Sequence, residues 1–269
     1  MKIHALQTGT VRCKQFQLTG AASNLHRFWE LAFTDKWGPW MPIYCWLIEH
    51  PDGLILVDTG ETNDIHKPGY LPSGGLYHKA VETRITEADE LPVQLNRIGY
   101  SPEQIQTVIF THLHGDHTGG LPHFPHARIL VSKAEFDFAK GLLGSSFGYF
   151  KRNWPDWFQP ELIQYSGGPE GVFQRSKTLT EDGRIVAVPT PGHNKGHQSI
   201  LISICINSFS NLEAKYAMVA VPWYSPKVLS ILRLKCLPLT QSWLLKVISE
   251  SPQVRSGLTF WSLNPALTS

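Results

Sequence analysis

The stretch THLHGDHTGG, residues 111–120, carries four metal-ligand side chains within six positions: His112, His114, Asp116 and His117. It follows directly on residues 107–110 (TVIF), whose β-branched and aromatic content predicts a short buried strand. Side chains two apart in an extended segment share a face, so His112 and His114 can address one ion. Gly115 permits a turn after them, which would present Asp116 and His117 to a second ion. Imidazole nitrogen and carboxylate oxygen are good ligands for Zn²⁺ and similar divalent cations. In two-metal sites the ions lie about 3.5–4 Å apart. The bland alternative is a polar loop whose histidines cluster by chance. So dense a ligand run immediately after a strand argues against it.

Outward from this segment, residues 43–49 (IYCWLIE) and 54–57 (LILV) read as strands joined through the turn Pro51-Asp52-Gly53. Leu91, Leu95 and Ile98 fall at helical spacing with Gly99 after them, which predicts a helix over 87–98. Residues 128–131, 184–188 and 198–204 are further strand candidates, and 134–140 reads as a helix. Strands joined partly by hairpin turns and interspersed with helices imply a mixed α/β or layered sandwich rather than a purely parallel sheet.

Four segments, in order, resemble the metallo-β-lactamase superfamily. They are residues 44–53 (YCWLIEHPDG), LVDTG at 56–60, the His-x-His-x-Asp-His run and TPGHNKGH at 190–197. The 44–53 segment and GHQS at 196–199 are similar to the N-acyl homoserine lactonase branch. The resemblance covers roughly residues 1–202 and implies a four-layer αββα sandwich with metals at one edge of two sheets. It assigns His112, His114 and His193 to a first Zn²⁺, and Asp116 and His117 to a second. It gives Asp116 the catalytic role of orienting the attacking hydroxide and delivering a proton. It also implies that Asp58 supports the metal loop, and residue logic agrees, because ligand histidines usually donate their other N–H to a carboxylate. A metal brings the pKa of bound water toward about 7, so hydroxide is available to attack a lactone, ester or amide carbonyl. The expected activity is lactone hydrolysis on a small-molecule substrate of N-acyl homoserine lactone type. Thioester hydrolysis of a glyoxalase kind, or a degenerate one-metal binder, are the alternatives. His197 is expected to be a structural hydrogen-bonder. His26, His50, His66, His78, His123 and His126 are expected in surface loops. The aromatic residues of 28–40 and 147–158 could line an acyl pocket or simply pack the core.

The sequence departs from the family towards its end. A complete two-metal site needs a bridging Asp after a later strand and a further His. Residues 215–221 (KYAMVAV) resemble that strand, but Pro222-Trp223 follow it, and neither Asp nor His occurs after His197. Residues 203–269 hold one glycine, six basic and two acidic residues. This poverty in turn and cap chemistry sets the stretch apart from the domain expected over 1–202. It reads as out-of-frame sequence replacing the end of that domain, as an authentic divergent terminus, or as a terminus whose missing ligands a partner chain supplies. The second metal would then be held weakly.

The whole chain has 269 residues, a formal charge of +2, 42% hydrophobic residues and four scattered cysteines. Such a balance offers no basis for nucleic acid or an anionic membrane as partner. The unpaired cysteine spacing reads as free thiols, and the start lacks the apolar core of a signal peptide, so a cytoplasmic protein is expected.

Overall fold

The computed structural model of the protein describes residues 1–19, 23–71, 77–141, 144–203 and 217–219. Its elements run β1 (Lys2–Cys13), α1 (Gln15–Thr19), α2 (Asn24–Phe33), β2 (Met41–His50), β3 (Gly53–Val57), α3 (Tyr77–Ala80), β4 (Val81–Arg84), α4 (Leu91–Arg97), β5 (Ile105–Ile109) and α5 (Gly115–Thr118). There follow β6 (Arg128–Ser132), α6 (Lys133–Lys140), β7 (Glu161–Ile163), β8 (Lys177–Thr178), β9 (Ile185–Pro189), β10 (Gln198–Ile202) and β11 (Ala217–Val219). Seven strands form a mixed sheet in the order β4-β1-β2-β3-β5-β6-β7, and four form a second sheet in the order β11-β10-β9-β8.

Strict alternation divides the side chains of the large sheet between two cores. Cys45, Leu47, Leu56, Val108, Ile129 and Val131 face a cluster that includes Leu91 and Leu95 of α4 and Ala139 of α6. Ile48, Ile55, Val57, Ile109 and Leu130 face the other way, against Ile185, Ala187, Ile200 and Ile202 of the second sheet. A sheet buried on both faces needs apolar residues at nearly every position, and this is why its strands read as continuous hydrophobic runs. Helices, large sheet and small sheet make three of the four expected layers. The far side of the small sheet has its own buried residues, Val186, Val188 and Leu201, with Phe173 against them. The expected helical layer on that side falls outside the described residues, as does all of the 203–269 stretch except Ser203 and β11.

β3 pairs parallel with β5, and Val57 lies opposite Ile109. The segments that leave these two strands, 58–62 and 110–118, therefore emerge side by side at one sheet end, where open α/β sheets place their ligands. β9 and β10 are antiparallel with Pro189 opposite Gln198, so the 190–197 loop emerges from the second sheet. Gln198 joins the two sheets there. Its backbone N–H donates to the Thr111 carbonyl (3.0 Å) and its side chain to the Phe110 carbonyl (2.8 Å).

Several expectations are corrected. The helix expected over 87–98 is a 3-10 turn at Glu87–Asp89 followed by α4 from Leu91. Pro92 has no N–H to give to residue 88, so one continuous helix cannot form. β1, twelve residues long, was not anticipated. Its polar stretch around Gln7–Thr10 hides the alternation, and the pairing register shifts there around Gly9. His50 is not a surface-loop residue. It is buried at the end of β2, where Asp52 N–H donates to Nδ1 (3.1 Å) and Nε2 meets Asp182 (3.0 Å), tying the two sheets at the end opposite the histidines. His26, His66, His123 and His126 are exposed as expected, and the side chain of His78 lies outside the described residues. No helix among the described residues is long and apolar enough to cross a membrane.

Gly60, in the turn after β3, has φ +72°, and a Cβ there would lie 2.2 Å from Thr8 Oγ1. Both conformation and space exclude a side chain. Gly60→Ala is expected to cost at least about 1 kcal/mol. The check is a lower denaturant midpoint at unchanged slope in an unfolding titration.

Candidate metal centre

Ligand-type nitrogens of His112, His114 and His193 lie within 4.8 Å of one another. His112 leaves the end of β5 in extended chain, His114 precedes α5, and His193 comes from the loop between β9 and β10. His112 is packed against the rings of His114 (centroids 4.6 Å), His193 (4.7 Å) and His117 (4.0 Å). His193 Nε2 sits 3.0 Å from His114 Nδ1.

A chain of hydrogen bonds fixes which nitrogens point inward. Asp58 has φ +59°, an uncommon conformation for a residue with a side chain. Its carboxylate accepts from Thr111 N–H (2.8 Å), Thr111 Oγ1 (2.8 Å) and His117 Nδ1 (2.9 Å). Since the Thr111 hydroxyl gives its proton to Asp58, its oxygen accepts from His112 Nδ1, 3.1 Å away. His112 Nε2 is thereby left with a lone pair. It is buried and has no hydrogen-bond partner. An orphaned buried acceptor is costly unless something else fills it.

Burial, reinforced by the neighbouring imidazoles, holds His112 and His114 well below the ordinary imidazole pKa. Burial takes His193 down to about 4, although the residue keeps an exposed surface. Three imidazoles whose ligand-type nitrogens converge fit a divalent cation, and the orphaned His112 Nε2 is the observation that decides it.

The family description of the metallo-β-lactamase superfamily matches residues 38–206. The chain belongs to that superfamily. An N-acyl homoserine lactonase of Bacillus cereus is 31% identical over 168 residues, 60% of this chain and 58% of the relative. The N-acyl homoserine lactonase AttM of Rhizobium johnstonii is 28% identical over 209 residues, 76% of this chain and 72% of the relative. The chain thus spans under two thirds of the Bacillus lactonase. Among solved structures, B. thuringiensis AiiA with N-decanoyl-L-homoserine bound at its active site is similar with a TM-score of 0.55. It is 24% identical and aligns over 75% of this chain and 70% of that one, a likeness of fold. A quorum-quenching N-acyl homoserine lactone hydrolase gives 0.53 at 25% identity, over 75% of this chain and 68% of that one.

The remaining superfamily-motif residues lie beside the three histidines. Asp116 and His117 lie on α5 with His117 Nε2 3.6 Å from Asp116 Oδ2. They are not among the residues whose ligand-type atoms all lie within 4.8 Å of one another, although the His117 ring packs on His112 at 4.0 Å between centroids. Burial opposes charge on His117, but Asp116 and Asp58 outweigh it and raise its pKa to about 9. His197 is the structural residue expected. Its Nδ1 contacts Thr190 Oγ1 at 2.9 Å, and burial takes it down to about 3.

Two buried carboxylates beside the centre were not singled out from sequence. Glu61 is pushed up to about 8 by burial and by Asp116. Glu135 of α6 is pushed up to about 7 by burial. Glu135 Oε1 accepts from Leu113 N–H at 2.9 Å. Its other oxygen and the neighbouring Tyr149 hydroxyl are both buried without a hydrogen bond of ordinary geometry. The one signal for Glu135 was its position four before Ala139 on the buried stripe of a helix, where an apolar residue is the norm. Among the aromatics, Tyr149, Phe150 and Phe158 are buried, while Trp29, Phe33 and Phe147 are exposed.

Asp58→Ala removes the acceptor that orients His117 directly and His112 through Thr111. Zn²⁺ affinity is expected to fall by about ten- to a hundredfold, measured by competition with a chromogenic chelator.

Proposed function

We propose that the protein is a metal-dependent hydrolase that opens the ring of an N-acyl homoserine lactone or a closely related ester. The convergence of His112, His114 and His193 within 4.8 Å carries this reading. Similarity to lactonases at about 30% identity supplies the substrate class. His112, His114 and His193 would hold a first Zn²⁺, and Asp116 and His117 a second, weaker one. A bound divalent cation supplies an acidified water and polarises a carbonyl oxygen.

The chain's own groups do the rest. Asp116, partly buried beside His117, takes the proton of the attacking water and returns it to the ring oxygen as the C–O bond breaks. The products are a carboxylate and a free hydroxyl. Asp58 keeps His117 Nδ1–H engaged, so Nε2 faces the reacting side. Phe150 packs under the motif so closely that a Cβ at Gly115 would lie 2.5 Å from its ring, which shields this side from water.

The arm of the substrate has a candidate seat beside this region. Tyr77 packs on Phe150 at 4.9 Å between centroids. It lines an open cavity of about 330 Å³ with Trp40, Ile65, Leu71 and Val81, and also with the polar His66, Glu82, Thr83 and Arg84. Tyr77 also approaches His114 across Gly148, where a Cβ would meet both residues. Tyr77 thus links a cavity of mixed apolar and polar lining to the His114 side of the centre.

The domain is proposed to extend over 1–202, with 203–269 differing in composition. The absence of Asp and His after His197 favours one firmly held ion over two.

Purified protein is expected to contain zinc and to hydrolyse N-acyl homoserine lactones, followed by proton release. His112→Ala combined with His114→Ala is expected to lose both metal and turnover by more than about a thousandfold. Lactone hydrolysis that persists in metal-free protein overturns the proposal. Leu71→Trp, which fills the cavity, is expected to lower kcat/KM for a decanoyl substrate at least about tenfold while a butanoyl substrate is little affected.

A further inference from the structure

We infer that Glu135 is the positioning residue that locks the two histidine-bearing loops into one metal centre, with Asn194 as its counterpart. The inference rests on the metal reading above and concerns how the three imidazoles are brought to one point.

His112 and His114 come from one sheet and His193 from the other, so nothing in the local chain fixes the distance between them. Glu135 lies between the two sources. A single oxygen, Oε1, accepts from Leu113 N–H at 2.9 Å and from Asn194 Nδ2 at 3.2 Å. Leu113 stands between His112 and His114, and Asn194 follows His193. One carboxylate oxygen thus joins a backbone donor flanked by two ligands to a side-chain donor adjacent to the third.

The Asn194 side chain is itself fixed to its loop. Its Oδ1 accepts from Gly196 N–H at 3.1 Å, and its backbone carbonyl accepts from Gly192 N–H at 3.1 Å. A pull on Asn194 is therefore transmitted to the whole turn that carries His193. Gly196 completes the contact. A Cβ there would lie 2.3 Å from both the Cα and the N of Glu135, so the loop reaches α6 only because residue 196 has no side chain.

Packing alone does not explain a carboxylate at this place. Glu135 is fully buried, and its neighbour on the same stripe, Ala139, belongs to the apolar core. An apolar residue at 135 would avoid the cost of burying the carboxyl but would leave the buried Leu113 N–H without an acceptor. His193 is exposed and packs on the rings of His112 and His114, so its position depends on how its loop is held against theirs.

The test uses Co²⁺ as the probe, because its visible absorption reports ligand geometry separately from activity. Glu135→Ala and Asn194→Ala are each expected to weaken Co²⁺ binding about tenfold or more and to alter the absorption of the loaded protein. Glu135→Gln, which keeps an accepting oxygen, is expected to restore both to near wild type. Should Glu135→Ala fail to fold, Asn194→Ala decides, since Asn194 is only partly buried. A folded Asn194→Ala protein with wild-type Co²⁺ affinity and absorption overturns the inference and leaves the metal reading intact. Wild-type protein that takes up no Co²⁺ overturns both.

Discussion

The Asp58 carboxylate is the constraint on which the centre depends. It sits at the end of β3 in a left-handed conformation and accepts three hydrogen bonds from the neighbouring 111–117 segment. Because a carboxylate only accepts, every proton in its surroundings must point toward it. The direction of the Thr111 hydroxyl follows, and from it the tautomer of His112. The direction of His117 follows independently. Two ligand-type nitrogens are thus turned inward by one anion that never needs to touch a metal. The parallel pairing of β3 with β5 makes this arrangement possible, since it brings Asp58 and Thr111 out at the same sheet end.

A second level of order comes from the joining of two sheets. The first contributes His112 and His114, the second His193. Gln198 bridges the sheets through the carbonyls of Phe110 and Thr111, and Glu135 bridges the loops above them. At the opposite end, the His50–Asp182 contact performs a similar tie. Apolar packing between Ile109, Leu130, Ile185 and Ile200 gives the sheets a common core but no directional register. The polar bridges supply that direction, and those made by Gln198 and by Glu135 to Leu113 are buried, where a lost partner is costly.

Much of this was legible in the sequence because the informative features are local. The 111–117 run, the 58–60 turn and the 190–197 loop each declare themselves by residue type and spacing, and the strands that carry them by continuous apolar character. What could not be read is what depends on tertiary approach. Glu135 looks like any helix glutamate until α6 is laid against residue 113. His50 looks like a loop histidine until the β8–β9 turn brings Asp182 to it. Glu61 follows the Asp-Thr-Gly turn as an ordinary polar residue, and only the fold buries it beside Asp116. β1 escaped notice because Gly9 and its polar neighbours interrupt the alternation that marks a strand.

The central claim is that His112, His114 and His193 converge on one cation. X-ray absorption at the zinc edge of the loaded protein tests it most directly. The account predicts a first shell of nitrogen and oxygen at about 2.0–2.1 Å with the multiple-scattering pattern of about three imidazoles. A shell containing sulfur at about 2.3 Å, or one with fewer than two imidazoles, would contradict it.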